Sequence, residues 1–253
     1  LDNSVVGPIQ SMFIGSGRIF QSRSTKVGEY YRLYACMLAR DKDNNFCNFV
    51  VYSDDFGDNW KILGDINVPG IPSKGDEPKT EELPDGSLLL SSRTDGGRRY
   101  NIFKFTDAAK AEGSWDECAY SGADNNGVAA LKNACNGEIM VLPVVRNSDK
   151  KKMHIALQSL PFGPERTNVG IYYKELMDES DYGTAADFAK DWDGRYQVST
   201  LPSAYSTMIQ QADGEIAFLY EEDKYKTIGG GYTIVYKNLS IEKITEGKYS
   251  LVK

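Results

Sequence analysis

Apolar residues along this chain fall in short runs rich in aromatic and β-branched side chains, at residues 30–38, 46–52, 87–90, 100–105, 138–145, 169–173, 215–220 and 232–236. Runs of this length, parted by Gly, Asp and Asn, predict strands separated by tight turns. Helical composition is confined to residues 184–192, between Gly183 and Gly194. The pattern predicts an all-β protein with one inserted helix.

One arrangement recurs. A turn ending in glycine leads into an apolar strand at GSGRIF (15–20), PDGSLLL (84–90), CNGEIMVL (135–142) and ADGEIAFL (212–219). Glycine fits the positive backbone dihedral of a tight hairpin, so each copy is read as the same turn of a repeated sheet. The glycines Gly17, Gly86, Gly137 and Gly214 are 69, 51 and 77 residues apart. Near-regular hairpins suit a β-propeller, whose blades bury their faces against neighbours, with a two-sheet sandwich as the structural rival. A mean spacing of about 66 residues gives about four four-stranded blades in 253 residues.

Composition narrows the chemistry. The net charge is −7, which disfavours nucleic acid as the main ligand and requires any anionic ligand to meet a local arginine cluster. A single histidine, His154, excludes a paired-histidine zinc site. Cys36, Cys47, Cys118 and Cys135 form no C-x-x-C pair and are read mostly as buried thiols. The longest uncharged apolar run, 139–145, is too short for a membrane span, and Leu1 opens no signal segment. No cofactor or metal is expected: the polar run starting at Asp41 has Phe46 where a calcium loop needs glycine. Lys150–Lys151–Lys152 reads as a solvated hairpin tip and Gly229–Gly231 as a loop without phosphate-binding context.

Four motifs carry the functional reading. The segment Ser53-Asp54-Asp55-Phe56-Gly57-Asp58-Asn59-Trp60 has the S-x-D-x-G-x-x-W spacing of a turn whose serine and aspartate bond the backbone while the tryptophan packs beneath. It resembles the Asp-box of sialidases and related propellers, with a degenerate copy at 105–115. The run from Asp76 and Glu77 through the Pro84-Asp85-Gly86 turn to Arg93 resembles the bacterial sialidase hairpin that begins at the catalytic glutamate and ends at a substrate-clamp arginine. Arg166, entering a strand at Asn168-Val169-Gly170-Ile171, resembles the family's next clamp arginine. The strand Ser203-Ala204-Tyr205-Ser206, followed by Leu219-Tyr220-Glu221, is similar to the segment carrying the nucleophilic tyrosine and a glutamate that steadies an arginine. Taken singly these side chains would read as core, rim or solvated charges. The ordered set of glutamate, arginine, arginine, tyrosine and glutamate makes the resemblance specific.

The resemblance implies a retaining exo-sialidase acting on sialylated glycans, secreted or periplasmic. Its residue types suit that reaction. Sialic acid bears a carboxylate on its anomeric carbon, which arginine forks can hold by charged hydrogen bonds worth about 1.5 to 3 kcal/mol each. That carboxylate would repel an anionic nucleophile, whereas a neutral phenol approaches without penalty. A phenol's ordinary pKa of about 10 leaves it almost wholly protonated at neutral pH, so a base must take its proton. The resemblance assigns Tyr205 as nucleophile, Glu77 as its base, Arg93 and Arg166 as the clamp and Glu221 as their support.

Sialidases of this type are six-bladed, with a first clamp arginine and an aspartate acid/base well before the Asp-box, where this chain has only 52 residues. Residues 1–253 are therefore expected to be one partial propeller lacking its N-terminal blades, associated with the N-terminal fragment of the same protein. Arg18, Arg23, Arg32 and Asp41 match neither missing role. A trans-sialidase would share the site, and a non-catalytic sialic-acid-binding propeller would need the arginines without both Glu77 and Tyr205.

Overall fold

The computed structural model describes residues 10–15, 17–40, 43–64, 75–223 and 231–252. Asp41 and Lys42, Ser16 of the first glycine turn, and Gly229 and Gly230 lie outside the described residues. The fold is all-β, and its four antiparallel sheets are the blades of a β-propeller. The first holds β1 (Ser11–Ile14), β2 (Phe20–Val27), β3 (Tyr30–Arg40), β4 (Phe46–Ser53) and β5 (Lys61–Ile62). The second holds β6 (Asp76–Glu82), β7 (Leu88–Thr94), β8 (Gly97–Asp107), β9 (Glu112–Trp115) and β10 (Ala119–Ser121). The third is ordered β14 (Gly194–Gln197), β13 (Val169–Leu176), β12 (Lys152–Pro161), β11 (Ile139–Arg146), β18 (Tyr249–Leu251). The fourth is β15 (Ser203–Gln210), β16 (Ile216–Glu222), β17 (Thr233–Leu239).

Among the described residues the sheets hold five, five, five and three strands, where the repeat predicts four in each. The first gains its extra strand because β3 is eleven residues long: Tyr30 to Tyr34 pair with β2, and Met37 to Arg40 pair with β1. Among the described residues there are three short α-helices rather than one: α1 (Glu179–Tyr182), α2 (Ala185–Ala189), inside the predicted helical stretch, and α3 (Ile241–Ile244). Asp178 and Ser240 cap α1 and α3 through hydrogen bonds from Ser180 N and Lys243 N, signals hidden in single turns of four residues.

The recurring glycines are not one turn repeated. Gly86 and Gly214 take the expected positive φ, 84° and 90°. Gly137 does not. It is required by close approach instead, since a Cβ there would lie 1.6 Å from Ser159 O.

The chain folds as two compact units. Leu1–Thr94, Arg99–Tyr120 and Thr184–Phe188 form one, with a core of Phe20, Tyr34, Val50, Leu88, Leu90, Phe103 and Trp115. One face of β3, β4, β7 and β8 supplies most of it, as strand alternation requires, with Phe20 added from β2 and Trp115 from β9. Arg32 is fully buried in this unit, spanning Asp54 at 2.6 Å and the carbonyls of Ala108 and Ala109, with the Tyr52 ring beside it. It is a structural ion pair. The polar strand β6 is buried too, because its carboxylates are matched: Glu81 accepts from Arg18 and Arg23, and Glu82 from Ser22 and Ser24.

The second unit, Asp95–Arg98, Ser121–Gly183 and Ala189–Lys253, packs Leu142, Val144, Ile155, Leu157, Ile171, Phe218, Tyr220 and Tyr249 into one cluster. None of the four cysteines forms a disulfide; Cys36 and Cys135 are buried, Cys47 and Cys118 half-buried.

Candidate active site

The turn after β4 closes on itself. Ser53 Oγ donates to Asp55 Oδ1 at 2.7 Å and accepts from Gly57 N at 2.8 Å, while Asp55 accepts from the backbone and side chain of Asn59. Those bonds hold the Asp55 carboxyl down at about 2. Trp60 donates its indole N–H to Gly57 O but stays exposed, so it braces the turn from the side instead of packing below it. In the segment at 105–115, Trp115 is buried and donates to Leu63 O.

In the first unit, β6 and β7 bring Glu77 and Arg93 together. Pairing is interrupted by a bulge between Asp76 and Lys79, and Glu77 sits in it with φ of 26°. A positive φ is costly for glutamate, on the order of 1 to 3 kcal/mol, and the following Pro78 restricts the residue further. A bulge re-aims a side chain, and here the Glu77 carboxylate meets Arg93 Nη1 at 2.7 Å. Glu77 is 9% exposed and Arg93 half-buried. Asp76 touches both partners: its Oδ1 accepts the Glu77 amide at 2.8 Å, and its Oδ2 stands 3.8 Å from Arg93 Nη1.

In the second unit, Arg166 lies within the turn closed by Gly163 N donating to Thr167 O, three residues ahead of β13. Its guanidinium lies 5.8 Å from the centre of the Tyr205 ring and makes a long contact to Ala134 O. A cation over an aromatic face favours both partners. Tyr205 occupies β15 within the irregular pairing between Ser203 and Ser206, and its amide donates to Glu221 Oε2 at 3.1 Å. Glu221 thus meets the tyrosine backbone directly. This same strand is fixed by Ser206 to Ser159 at 2.9 Å and by Thr207 donating to the buried Glu138 at 3.0 Å.

The five residues therefore form two clusters, Glu77 with Arg93 in one unit and Arg166 with Tyr205 and Glu221 in the other. Motif reading includes Asp76 without giving it a role and does not single out Glu138. An Asp directly before a Glu-Pro pair could have flagged the first, since Asp bonds nearby backbone amides; nothing in sequence marks the second. Among the described residues no three His, Cys, Asp or Glu side chains gather as a metal site, and no helix is long and apolar enough to cross a membrane.

No family model matches the chain, and no curated protein matches its sequence. Solved structures do. A leech intramolecular trans-sialidase complexed with 2,7-anhydro-Neu5Ac is 20% identical with a TM-score of 0.67, over 94% of this chain and 33% of that one. The Ruminococcus gnavus intramolecular trans-sialidase in complex with oseltamivir carboxylate is 21% identical with a TM-score of 0.67, over 93% and 45%. Trypanosoma rangeli sialidase with 2,3-difluorosialic acid, a covalent intermediate, is 18% identical with a TM-score of 0.60, over 95% and 33%. The chain spans between a third and just under half of those proteins' length. With likeness to both sialidases and trans-sialidases over nearly all of its residues, the chain has the sialidase-family β-propeller fold.

Proposed function

We propose that this chain is the C-terminal part of a retaining exo-sialidase that releases terminal α-linked sialic acid from glycoconjugates outside the cell. One observation carries the reading: each of the five motif residues is engaged with another of the five. The Trypanosoma rangeli protein's covalent intermediate with a fluorinated sialic acid supports a covalent route within this fold.

In the proposed reaction Arg93 and Arg166 bind the sugar carboxylate. Glu77 accepts the Tyr205 phenol proton as its oxygen attacks the anomeric carbon and the glycosidic bond breaks. Water then attacks the anomeric carbon, giving its proton to the group that protonated the leaving oxygen and now acts as base, while Glu77 returns its proton to the departing phenolate; two inversions give retention. A remaining arginine and the acid that protonates the leaving oxygen would come from the N-terminal part of the same protein. The outer face of the fourth sheet supports such a companion: Ile209, Leu219, Ile234 and Tyr236 are exposed there, beside Glu221.

The test is hydrolysis of a fluorogenic sialoside by the chain alone and with the companion segment, followed by NMR of the released sugar. Tyr205→Phe is expected to lower kcat at least about a hundredfold while a sialic acid analogue still binds. Undiminished turnover, or release of the inverted anomer, would overturn the reading. Analysis of products with added lactose separates hydrolysis from transfer.

A further inference from the structure

The sialidase reading leaves one charged side chain at the Glu77–Arg93 pair without a role. Asp76 is part-exposed, and its two oxygens do different things: Oδ1 takes the Glu77 amide at 2.8 Å and Oδ2 faces Arg93 Nη1 at 3.8 Å. Glu77 needs holding. Its φ of 26° is disfavoured for a residue with a Cβ and before proline, and the bulge removes regular ladder bonding from this stretch. A carboxylate accepting the amide of the next residue is a local restraint that regular pairing cannot supply there.

The same carboxylate bears on Arg93. A guanidinium already facing Glu77 Oε2 at 2.7 Å and a second anion at 3.8 Å has less positive field to offer an incoming carboxylate. Asp76 therefore acts in opposite senses on the two residues, fixing the geometry of one and tempering the charge of the other.

We propose that Asp76 is a positioning residue that locks Glu77 in its left-handed bulge conformation and, through Arg93, limits how tightly the substrate carboxylate is held. The kinetic half of this inference rests on the sialidase reading; the conformational half does not.

Two variants separate the roles. Asp76→Asn keeps an oxygen acceptor for the amide and removes the charge, whereas Asp76→Ala removes both. In the active assembly, Asp76→Asn should keep kcat within about threefold and tighten binding of a sialic acid analogue about two- to fivefold. Asp76→Ala should lower kcat about tenfold or more with unchanged urea stability of the rest of the unit. Equal losses in both variants, or no loss in Asp76→Ala while the parent is active, would overturn the proposal. If the parent hydrolyses no sialoside, the reading of function fails, and the conformational claim is decided by NMR on the chain alone. At fixed neutral pH the Glu77 amide resonance should move little from the parent in Asp76→Asn, which keeps the acceptor, and shift upfield in Asp76→Ala. An amide resonance indifferent to all three states would sink it.

Discussion

A methyl group on Gly137 would collide with Ser159 O, whereas one on Gly214 would meet only the end of the Leu251 side chain and a backbone held at φ of 90°. Gly137→Ala should therefore cost several kcal/mol, of the order seen for overpacked cores, and Gly214→Ala about 1 kcal/mol, as read from urea unfolding midpoints. Tyr34 offers a second residue-scale prediction. Burial pushes its hydroxyl up to about 12 against the opposing pull of Arg32. Because the folded value exceeds the unfolded value near 10, the folded state favours the neutral phenol. That stabilisation is complete below about pH 10 and is lost as pH rises to about 12, on the order of 2 kcal/mol. Tyrosinate absorbance should show Tyr34 silent until the unit unfolds, and Tyr34→Phe should flatten the alkaline limb of the stability curve.

Secondary structure was readable where it was apolar. All eight stretches predicted from hydrophobic runs are strands; four of them begin one residue later than predicted, and every one runs past its predicted end, by one to four residues. The strand β6, with the sequence DEPKTEE, offered no such pattern, because its burial rests on arginines and serines far away in sequence. The bulge that aims Glu77 is invisible for the same reason: it follows from pairing with β7, not from local composition. The motif residues were identified from order and resemblance, yet the amide contact from Tyr205 to Glu221 could not be, since spacing does not say which atom of a neighbour a carboxylate meets. The strand β17 pairs only with β16 among the described residues and exposes 66% of Ile234. Such an edge invites association. Ile234→Lys should reduce concentration-dependent light scattering of the isolated chain without lowering its unfolding midpoint.

For the molecule as a whole, the governing quantity is charge. On the proposed function, a chain of net charge −7 receiving a carboxylate sugar would work against its own field everywhere except at the guanidinium groups. Salt shortens the reach of that field to about 10 Å at 0.1 M, while the close contacts proposed for Arg93 and Arg166 would be screened much less. The apparent KM for a sialoside should fall a few-fold as sodium chloride rises from about 0.01 to 0.15 M at fixed pH. A steady rise would mean that local arginine attraction outweighs the global repulsion.

The absence of any disulfide among Cys36, Cys47, Cys118 and Cys135 leaves the polypeptide without covalent cross-links. Denaturant alone can open it, in reducing or oxidising surroundings alike. The two deepest sulfurs are also distributed one to each unit, Cys36 in the first and Cys135 in the second. Maleimide capture at these two positions, followed by peptide mapping, would therefore time the opening of each half with no engineered label.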